Sequence, residues 1–182
     1  MPMTTHTHLS LIAVAALAGG CALSPRVDNT ALPEAVRVPA GHQQSAHTVT
    51  SGGEITYECR ARKDAADQFA WTFVAPVAVL QSGGQTVGSY RGGPTWIHND
   101  GSRVTGKQVA VAPAGAGAIP LQLVKADPAT GQGALTGVTY IQRLNTRGGV
   151  APSLPCGATQ AGQTQVVTYQ ADYVFYKAAS GY

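Results

Sequence analysis

Alternation between apolar and polar side chains, with a period of two residues, constrains this chain more than any other feature of its sequence. Within residues 55–62 the side chains of Ile55, Tyr57, Cys59 and Ala61 share one face, and polar side chains share the other. This pattern is typical of a half-buried β-strand, because successive side chains of a strand point to opposite faces of the sheet. Near the end of the chain the same pattern predicts one face formed by Val167, Tyr169, Ala171, Tyr173 and Phe175.

The alternation recurs along the chain and predicts a series of strands with short turns between them. The expected strands are residues 55–62, 69–74, 86–91, 103–112, 119–125, 135–144 and 165–177. Pro76 is expected to mark an edge or a bend. Glycine, aspartate and proline mark turns at 82–84, 99–102, 126–128 and 146–149. The sequence therefore predicts an all-β domain, an antiparallel β-sandwich or barrel with Gly-rich loops.

Residues 1–20 have the pattern of a signal peptide, with an uncharged apolar run that starts at Leu9. The run is shorter than the roughly 20 residues that span a bilayer. Residues 17–20 precede Cys21 in the manner of a relaxed lipobox, which predicts a lipid anchor on Cys21 and attachment to a membrane through it. The alternative is ordinary cleavage after Ala18, which leaves Cys21 as an odd thiol. Both routes predict export, either as an outer-membrane lipoprotein facing the periplasm or as a secreted protein.

Proline content and alternation divide the rest of the chain into two segments. Residues 21–42 contain several prolines and no apolar period, so we interpret them as a tether that leads into the domain. Residues 43–178 are expected to form one β-rich domain, which is long enough to bury a core of its own.

Cys59 and Cys156 are the cysteines that remain if Cys21 is acylated, and in an oxidising compartment they can pair. The alternation turns Cys59 inward, and Cys156 lies in a proline-flanked loop. A bond across this separation stabilises by about 4–5 kcal/mol in the chain-entropy model. The alternative is two buried free thiols.

Charge and composition bear on the class of partner. The chain has 12 basic and 9 acidic residues, and the basic ones are scattered without a cluster. Nucleic-acid binding normally requires a clustered basic face, so we expect no nucleic-acid partner. Only 12% of residues are charged, which together with abundant Gly, Thr and Val is typical of an exported β-rich protein.

A distinctive run occupies residues 138–152, with the sequence VTYIQRLNTRGGVAP. It follows the motifs GPTW at 93–96 and DGSRVTGK at 100–107, and it precedes Cys156. Together these motifs resemble the family designated domain of unknown function 3455, over residues 38–177. The resemblance implies an exported domain and supplies no activity. Two positions depart from it, since many relatives carry His in place of Ser89 and Trp in place of Leu121.

Metal and cofactor sites find no support in the residue spacing. His42 and His47 are five positions apart, which places them on opposite faces of a strand, so we expect no metal site. The glycine pairs at 115–117 and 131–133 lack the third glycine and the following helix of a dinucleotide fingerprint, so we expect no cofactor.

Ser102 lies close in sequence to His98 and Asp100, which raises the question of a hydrolytic triad. Asp100 and Gly101 form a strong hairpin-turn signal that explains these residues without catalysis. Three residues in one tight turn rarely attain the geometry between base and nucleophile that a triad requires.

The candidate site combines aromatic rings and guanidinium groups around two Gly-rich loops. Its members are Tyr90, Trp96, Tyr140, Arg143 and Arg147. Aromatic faces beside a planar cation can bind a carbohydrate ring or a small anionic ligand. The alternative is that Trp96 and Tyr140 fill core space while Arg143 holds loop carbonyls together. Residues 143–152 are expected to form an ordered loop that faces residues 92–96, with the backbone freedom of Gly148 and Gly149 shaping it.

Two classes of function stay open. The first is a non-catalytic exported domain that binds a ligand or serves the cell envelope. The second is a secreted, hydrolase-like enzyme with a site near loops 90–103 and 143–150. The first is favoured, because the nine acidic residues include no pair at a spacing suited to acid–base catalysis.

Overall fold

The computed structural model describes residues 25–180, so the predicted signal peptide and Cys21 lie outside the described residues. Eight antiparallel strands form one closed barrel in which each strand pairs with its neighbours in the chain, and β8 pairs with β1. The strands are β1 (His42–Arg62), β2 (Ala65–Ser82), β3 (Gln85–Arg91), β4 (Thr95–His98), β5 (Arg103–Ala112), β6 (Leu121–Ala126), β7 (Val138–Gly148) and β8 (Thr164–Ala178). The predicted all-β fold is confirmed, and the architecture is the barrel. Within the described chain, none of the helices has the length and apolar character needed to cross a membrane.

The barrel interior is filled by the face that the alternation predicted to be apolar. Tyr169, Ala171, Tyr173 and Phe175 of β8 all belong to the main core, which Trp96 also joins. Because side chains alternate along a strand, the intervening positions of β8 point to the outside of the barrel.

The outside of β6, β7 and β8 is covered by residues 25–38, which we call the N-terminal segment. Val36 and Val38 of this segment pack with Leu144 and Val174 in a second apolar cluster. The Gln142 side chain reaches out from β7 and donates a hydrogen bond to the Val36 carbonyl at 2.6 Å. The part of the predicted tether that the structure describes therefore packs against the barrel, with two 3-10 turns at Asn29–Ala31 and Glu34–Val36.

Several strand boundaries differ from the prediction: β1 and β2 are longer than the predicted strands 55–62 and 69–74, and two other differences bear on the candidate site. Residues 95–98 form β4, where the sequence predicted a loop, because four residues are too few to show a period. β7 continues to Gly148, so residues 143–148 are strand and not loop. A register shift between Leu144 and Arg147, with Asn145 at a positive φ of 49°, breaks the alternation there and hides the strand in the sequence.

Pro76 does not end β2, and its position explains why. β2 pairs with β3 only from Val77 onward, so Pro76 lies where β2 has a single hydrogen-bonded neighbour and a missing N–H is tolerated. On the other side, β5 pairs with β4 only as far as Thr105. The barrel wall is therefore open between the early part of β2 and the late part of β5. We call this opening the wall gap, and the turn at residues 92–94 lies at its base.

The predicted disulfide is confirmed. Cys59 and Cys156 are bonded, with their Cα atoms 5.6 Å apart and a separation of 97 positions in sequence. The bond joins β1 to the segment between β7 and β8. The Cys59 N–H donates to the Gln163 carbonyl at 2.9 Å, and the Gly162 N–H donates to the Cys59 carbonyl at the same distance. The segment is thus held to the barrel by covalent and hydrogen bonds together.

Candidate functional site

A cavity of about 420 Å³ occupies the end of the barrel where the wall gap opens, and we call it the mouth cavity. Phe73 and Pro76 of β2 flank it on one side of the gap, and Gln108 of β5 flanks it on the other. Four tyrosines form much of its lining: Tyr57, Tyr90, Tyr169 and Tyr173. A volume of this size is typical of sites for small molecules.

Arg143 supplies the positive charge of the mouth cavity. Alternation along β7 turns Ile141 and Arg143 inward, whereas Gln142 and Leu144 point outward. Nε and one terminal nitrogen of Arg143 donate to the Pro120 carbonyl at 3.2 Å and 2.9 Å. None of the ion pairs formed by the described residues includes Arg143. The guanidinium therefore has a fixed orientation and no counter-charge among residues 25–180.

The tyrosines around Arg143 are neutral hydrogen-bonding groups at physiological pH. Burial raises the pKa of Tyr57, Tyr90 and Tyr173, and it raises the pKa of Tyr169 to about 12, while the Arg143 charge opposes the rise in each case. The Tyr57 hydroxyl donates to the Gly149 carbonyl at 2.7 Å. The hydroxyl oxygens of Tyr169 and Tyr173 lie 3.5 Å apart.

Gln122 of β6 lies beside Arg143 in register and also lines the mouth cavity. Its Nε2 donates to Gln108 Oε1 at 2.6 Å. Its Oε1 is buried and has no hydrogen-bond partner within the described part of the chain. A buried acceptor without a partner is uncommon in folded proteins and therefore calls for an explanation.

The five predicted site residues do not form one site. Tyr90 and Arg143 line the mouth cavity together. Trp96 is buried beneath it, with its ring centroid 5.1 Å from that of Tyr90. Tyr140 packs edge-on against the His42 ring at a centroid distance of 4.9 Å, away from the mouth cavity. Arg147 is exposed in a shallow depression on the barrel exterior.

The lining residues missed as site residues from the sequence include Tyr57, Gln122, Tyr169 and Tyr173. The signal for the tyrosines was present, because alternation placed all three on inward faces. Gln122 gave no such signal. A lone glutamine in an apolar strand has no distinctive spacing. Only its pairing with Arg143 in the sheet indicates that it belongs to the site.

The residues considered as a triad form a structural turn. Asp100 accepts hydrogen bonds from Ser102 Oγ at 2.6 Å and from the Ala134 N–H at 2.7 Å. The side chain of His98 contacts Asp100 at 2.9 Å. These hydrogen bonds, of which that from Ser102 Oγ is the largest contribution, hold the pKa of Asp100 far below its ordinary value. Because Asp100 lies between the other two, Ser102 and His98 lack the contact that a base and a nucleophile need.

A second pair of titratable groups lies on the barrel exterior under the start of the N-terminal segment. His47 Nε2 and Asp172 Oδ2 are 3.0 Å apart, and Asn145 donates to the same carboxylate oxygen at 2.7 Å. His47 Nδ1 lies 3.3 Å from the Pro25 carbonyl oxygen. Within residues 25–180, no group of three or more His, Cys, Asp or Glu side chains is arranged to hold a metal ion.

The chain was compared with known protein families. The model of a family described as protein of unknown function (DUF3455) matches residues 39–177, which include nearly all of the barrel. Neither the curated proteins nor the solved structures gave a match. The matched span agrees with the one that the motifs around residues 93–107 and 138–152 indicated. The chain therefore belongs to the DUF3455 family of proteins of unknown function.

Proposed function

We propose that this protein is a non-catalytic, exported binding protein that takes a small anionic ligand into the mouth cavity. The observation that carries the proposal is Arg143, an inward-facing guanidinium with no acidic partner among the described residues. The Arg143 side chain is partly exposed, and the Pro120 carbonyl takes only two of its five N–H donors, so the others are free to bind an anion. A carboxylate, sulfonate or phosphate can supply that partner through hydrogen bonds to the guanidinium.

The other lining groups suit binding better than catalysis. Among residues 25–180, those that line the mouth cavity include no histidine, cysteine, serine or carboxylate. General acid–base catalysis needs a group that exchanges protons near the working pH, and the raised tyrosine pKa values remove these hydroxyls from that role. The aromatic rings and the prolines at the rim offer apolar contact area to the rest of the ligand.

Export and a lipid anchor on Cys21 are part of the same proposal. They are supported by the apolar leader in residues 1–20 and by the disulfide, since disulfides persist in oxidising compartments. Cells fed labelled fatty acid should incorporate the label into the protein, and Cys21→Ser should abolish incorporation. A mature protein that begins at Gly19 would instead indicate plain secretion.

The test of ligand binding is calorimetry of the disulfide-bonded protein against a panel of small carboxylates, sulfonates and phosphates, with neutral sugars included. We expect anions to bind, and Arg143→Met to weaken the affinity at least tenfold, because hydrogen bonds to charged groups are worth about 1.5–3 kcal/mol. Arg147→Met is the matched control, since Arg147 is exposed away from the cavity, and it should leave the affinity unchanged. Absence of anion binding, or equal affinities in the two variants, would refute the proposal, and binding of neutral sugars alone would indicate a carbohydrate site.

A further inference from the structure

We propose that the anionic ligand is a hydroxycarboxylic acid with an apolar or aromatic remainder, whose hydroxyl donates a hydrogen bond to Gln122 Oε1. This inference rests on the proposed function, because it places the carboxylate of the ligand at Arg143. The inference adds that the ligand carries a second polar group, and it gives the position of that group relative to the carboxylate.

The first support is the unsatisfied oxygen of Gln122. Gln122 Oε1 is buried and without a partner within residues 25–180, although the side chain lines the mouth cavity. The amide orientation is set by its nitrogen, which donates to Gln108 Oε1 at 2.6 Å. The oxygen that remains can only accept a hydrogen bond. A ligand that satisfies it must therefore bring a donor, such as a hydroxyl group.

The second support is the register between β6 and β7. Gln122 and Arg143 are directly opposite each other, and both face the interior. The Cβ atoms of such a pair are about 4.5–5.5 Å apart, so the two side chains run next to each other into the cavity. A donor for Gln122 and an anion for Arg143 must then sit on neighbouring atoms of one ligand. A hydroxyl on the carbon α or β to the carboxylate meets this requirement.

The third support is the character of the remaining lining. Tyr90 and Tyr173 present aromatic surface, with ring centroids 4.8 Å apart. Phe73 and Pro76 extend the apolar surface to the wall gap. An apolar or aromatic group attached to the hydroxy acid can pack here, and a cavity of about 420 Å³ has room for a single ring and its side chain.

The experiment compares two probes that differ only in the hydroxyl, 3-phenyllactate and 3-phenylpropanoate, by calorimetry with the disulfide-bonded protein. We expect the hydroxy acid to bind about tenfold more tightly, the value of one well-formed hydrogen bond to a buried acceptor. Gln122→Leu should remove this preference by weakening 3-phenyllactate binding, while 3-phenylpropanoate still binds. Gln122→Glu should weaken both acids, because it places a carboxylate beside Arg143 that competes with the ligand.

The outcomes separate this inference from the proposed function. Equal affinity of the two probes in the unsubstituted protein, or a preference that survives in Gln122→Leu, overturns the hydroxyl assignment while anion binding stands. If neither probe binds, the hydroxycarboxylate assignment is rejected, and the panel with Arg143→Met decides on anion binding. The comparison of the two probes needs no substitution, so it gives a result even if a Gln122 variant fails to fold.

Discussion

Trp96 occupies the centre of the aromatic packing inside the barrel. Its side chain has 0% exposure, and its ring contacts those of Tyr90, Tyr173 and Phe175 at centroid distances of 5.1, 5.6 and 6.4 Å. Its Nε1 is buried and lacks a hydrogen-bond partner in the described part of the chain. The residue therefore combines large apolar burial, which stabilises the fold, with one unsatisfied donor, which costs stability.

Two substitutions of Trp96 test the packing contribution, because both remove the unpaired donor and only one keeps an aromatic ring. Trp96→Ala should lower the free energy of unfolding by about 3–5 kcal/mol, because it leaves a cavity in the core. Trp96→Phe should cost clearly less, since it keeps aromatic packing and removes the unpaired donor. Chemical denaturation of both variants measures the difference. Equal losses in the two variants would contradict the packing role, because Trp96→Phe keeps aromatic contacts that Trp96→Ala removes.

His47 and Asp172 make the stability depend on pH in a defined direction. The hydrogen bond to Asp172 raises the pKa of His47 above its ordinary 6.5, against the opposing effect of burial. Burial works to raise the pKa of Asp172, but hydrogen bonds from His47 and Asn145 outweigh it and leave that pKa below its ordinary 3.8. The stabilisation from His47 is complete below pH 6.5 and is lost as the pH rises through its folded-state pKa. The stabilisation from Asp172 is complete above pH 3.8 and is lost as the pH falls.

We therefore expect the free energy of unfolding to decline as the pH is raised from about 6 to 8, through deprotonation of His47. His47→Gln should remove this part of the decline. Asp172→Asn should reduce it as well, because it takes away the charged acceptor. Urea titrations at several pH values measure the slope, and an unchanged slope in His47→Gln would contradict the assignment.

At the scale of whole elements, the N-terminal segment completes the outer face of the barrel. Without it, Leu123, Leu144 and Val174 would face water on the outside of β6, β7 and β8. Val36 and Val38 of the segment cover these side chains. Gln142 donates a hydrogen bond to the Val36 carbonyl and so fixes the position of the segment. It contributes to the stability of the domain although it lies before the first strand.

Val36→Ala tests this contribution. The side chain has 0% exposure, so the variant should lose about 1.5–3 kcal/mol of unfolding free energy. Val166→Ala provides the matched control, because Val166 is 55% exposed on β8, and it should change stability by about 0.5 kcal/mol or less. Similar effects in both variants would show that the segment does not pack firmly in solution.

The elements also show how far the sequence could be interpreted. Long strands such as β8 and β1 were predictable, because their alternation runs over many residues with one face buried. β4 was not predictable, since four residues give no measurable period. The end of β7 was hidden by the shift after Leu144, which reverses the faces. Arg143 could be named as a candidate from its residue type alone. The role of Gln122 beside it depends on strand register, which alternation alone does not set.

At the scale of the whole molecule, the disulfide links the two halves of the chain. Cys59 and Cys156 close a loop that contains β2 to β7. The indole Nε1 of Trp71 donates to the Leu154 carbonyl at 2.9 Å and adds a second tie near the bond. A loop of this length restricts the unfolded chain strongly, so the bond should matter more for global unfolding than for local structure.

Replacing both Cys59 and Cys156 by alanine should lower the free energy of unfolding by about 4–5 kcal/mol in the chain-entropy model. Guanidinium denaturation of the variant against the oxidised protein measures the loss. Reduction of the unsubstituted protein should reproduce it, which controls for the loss of packing in the alanine variant. A loss below about 1 kcal/mol in both comparisons would contradict this account.

The position of Pro25 bears on how the mouth cavity would face a membrane if Cys21 carries the proposed lipid. Gln44 and His47 of β1 contact its carbonyl, at 2.8 Å and 3.3 Å. Position 21 is four residues from Pro25, a reach of about 14 Å at most. Ile55, which lines the mouth cavity, lies roughly 25 Å along β1 from His47. With a lipid on Cys21, we expect the barrel end opposite the mouth cavity to lie nearer the bilayer. Vesicle-bound and lipid-free protein should then have the same affinity for the proposed ligand, because the cavity would open to the aqueous space and not to the lipid layer.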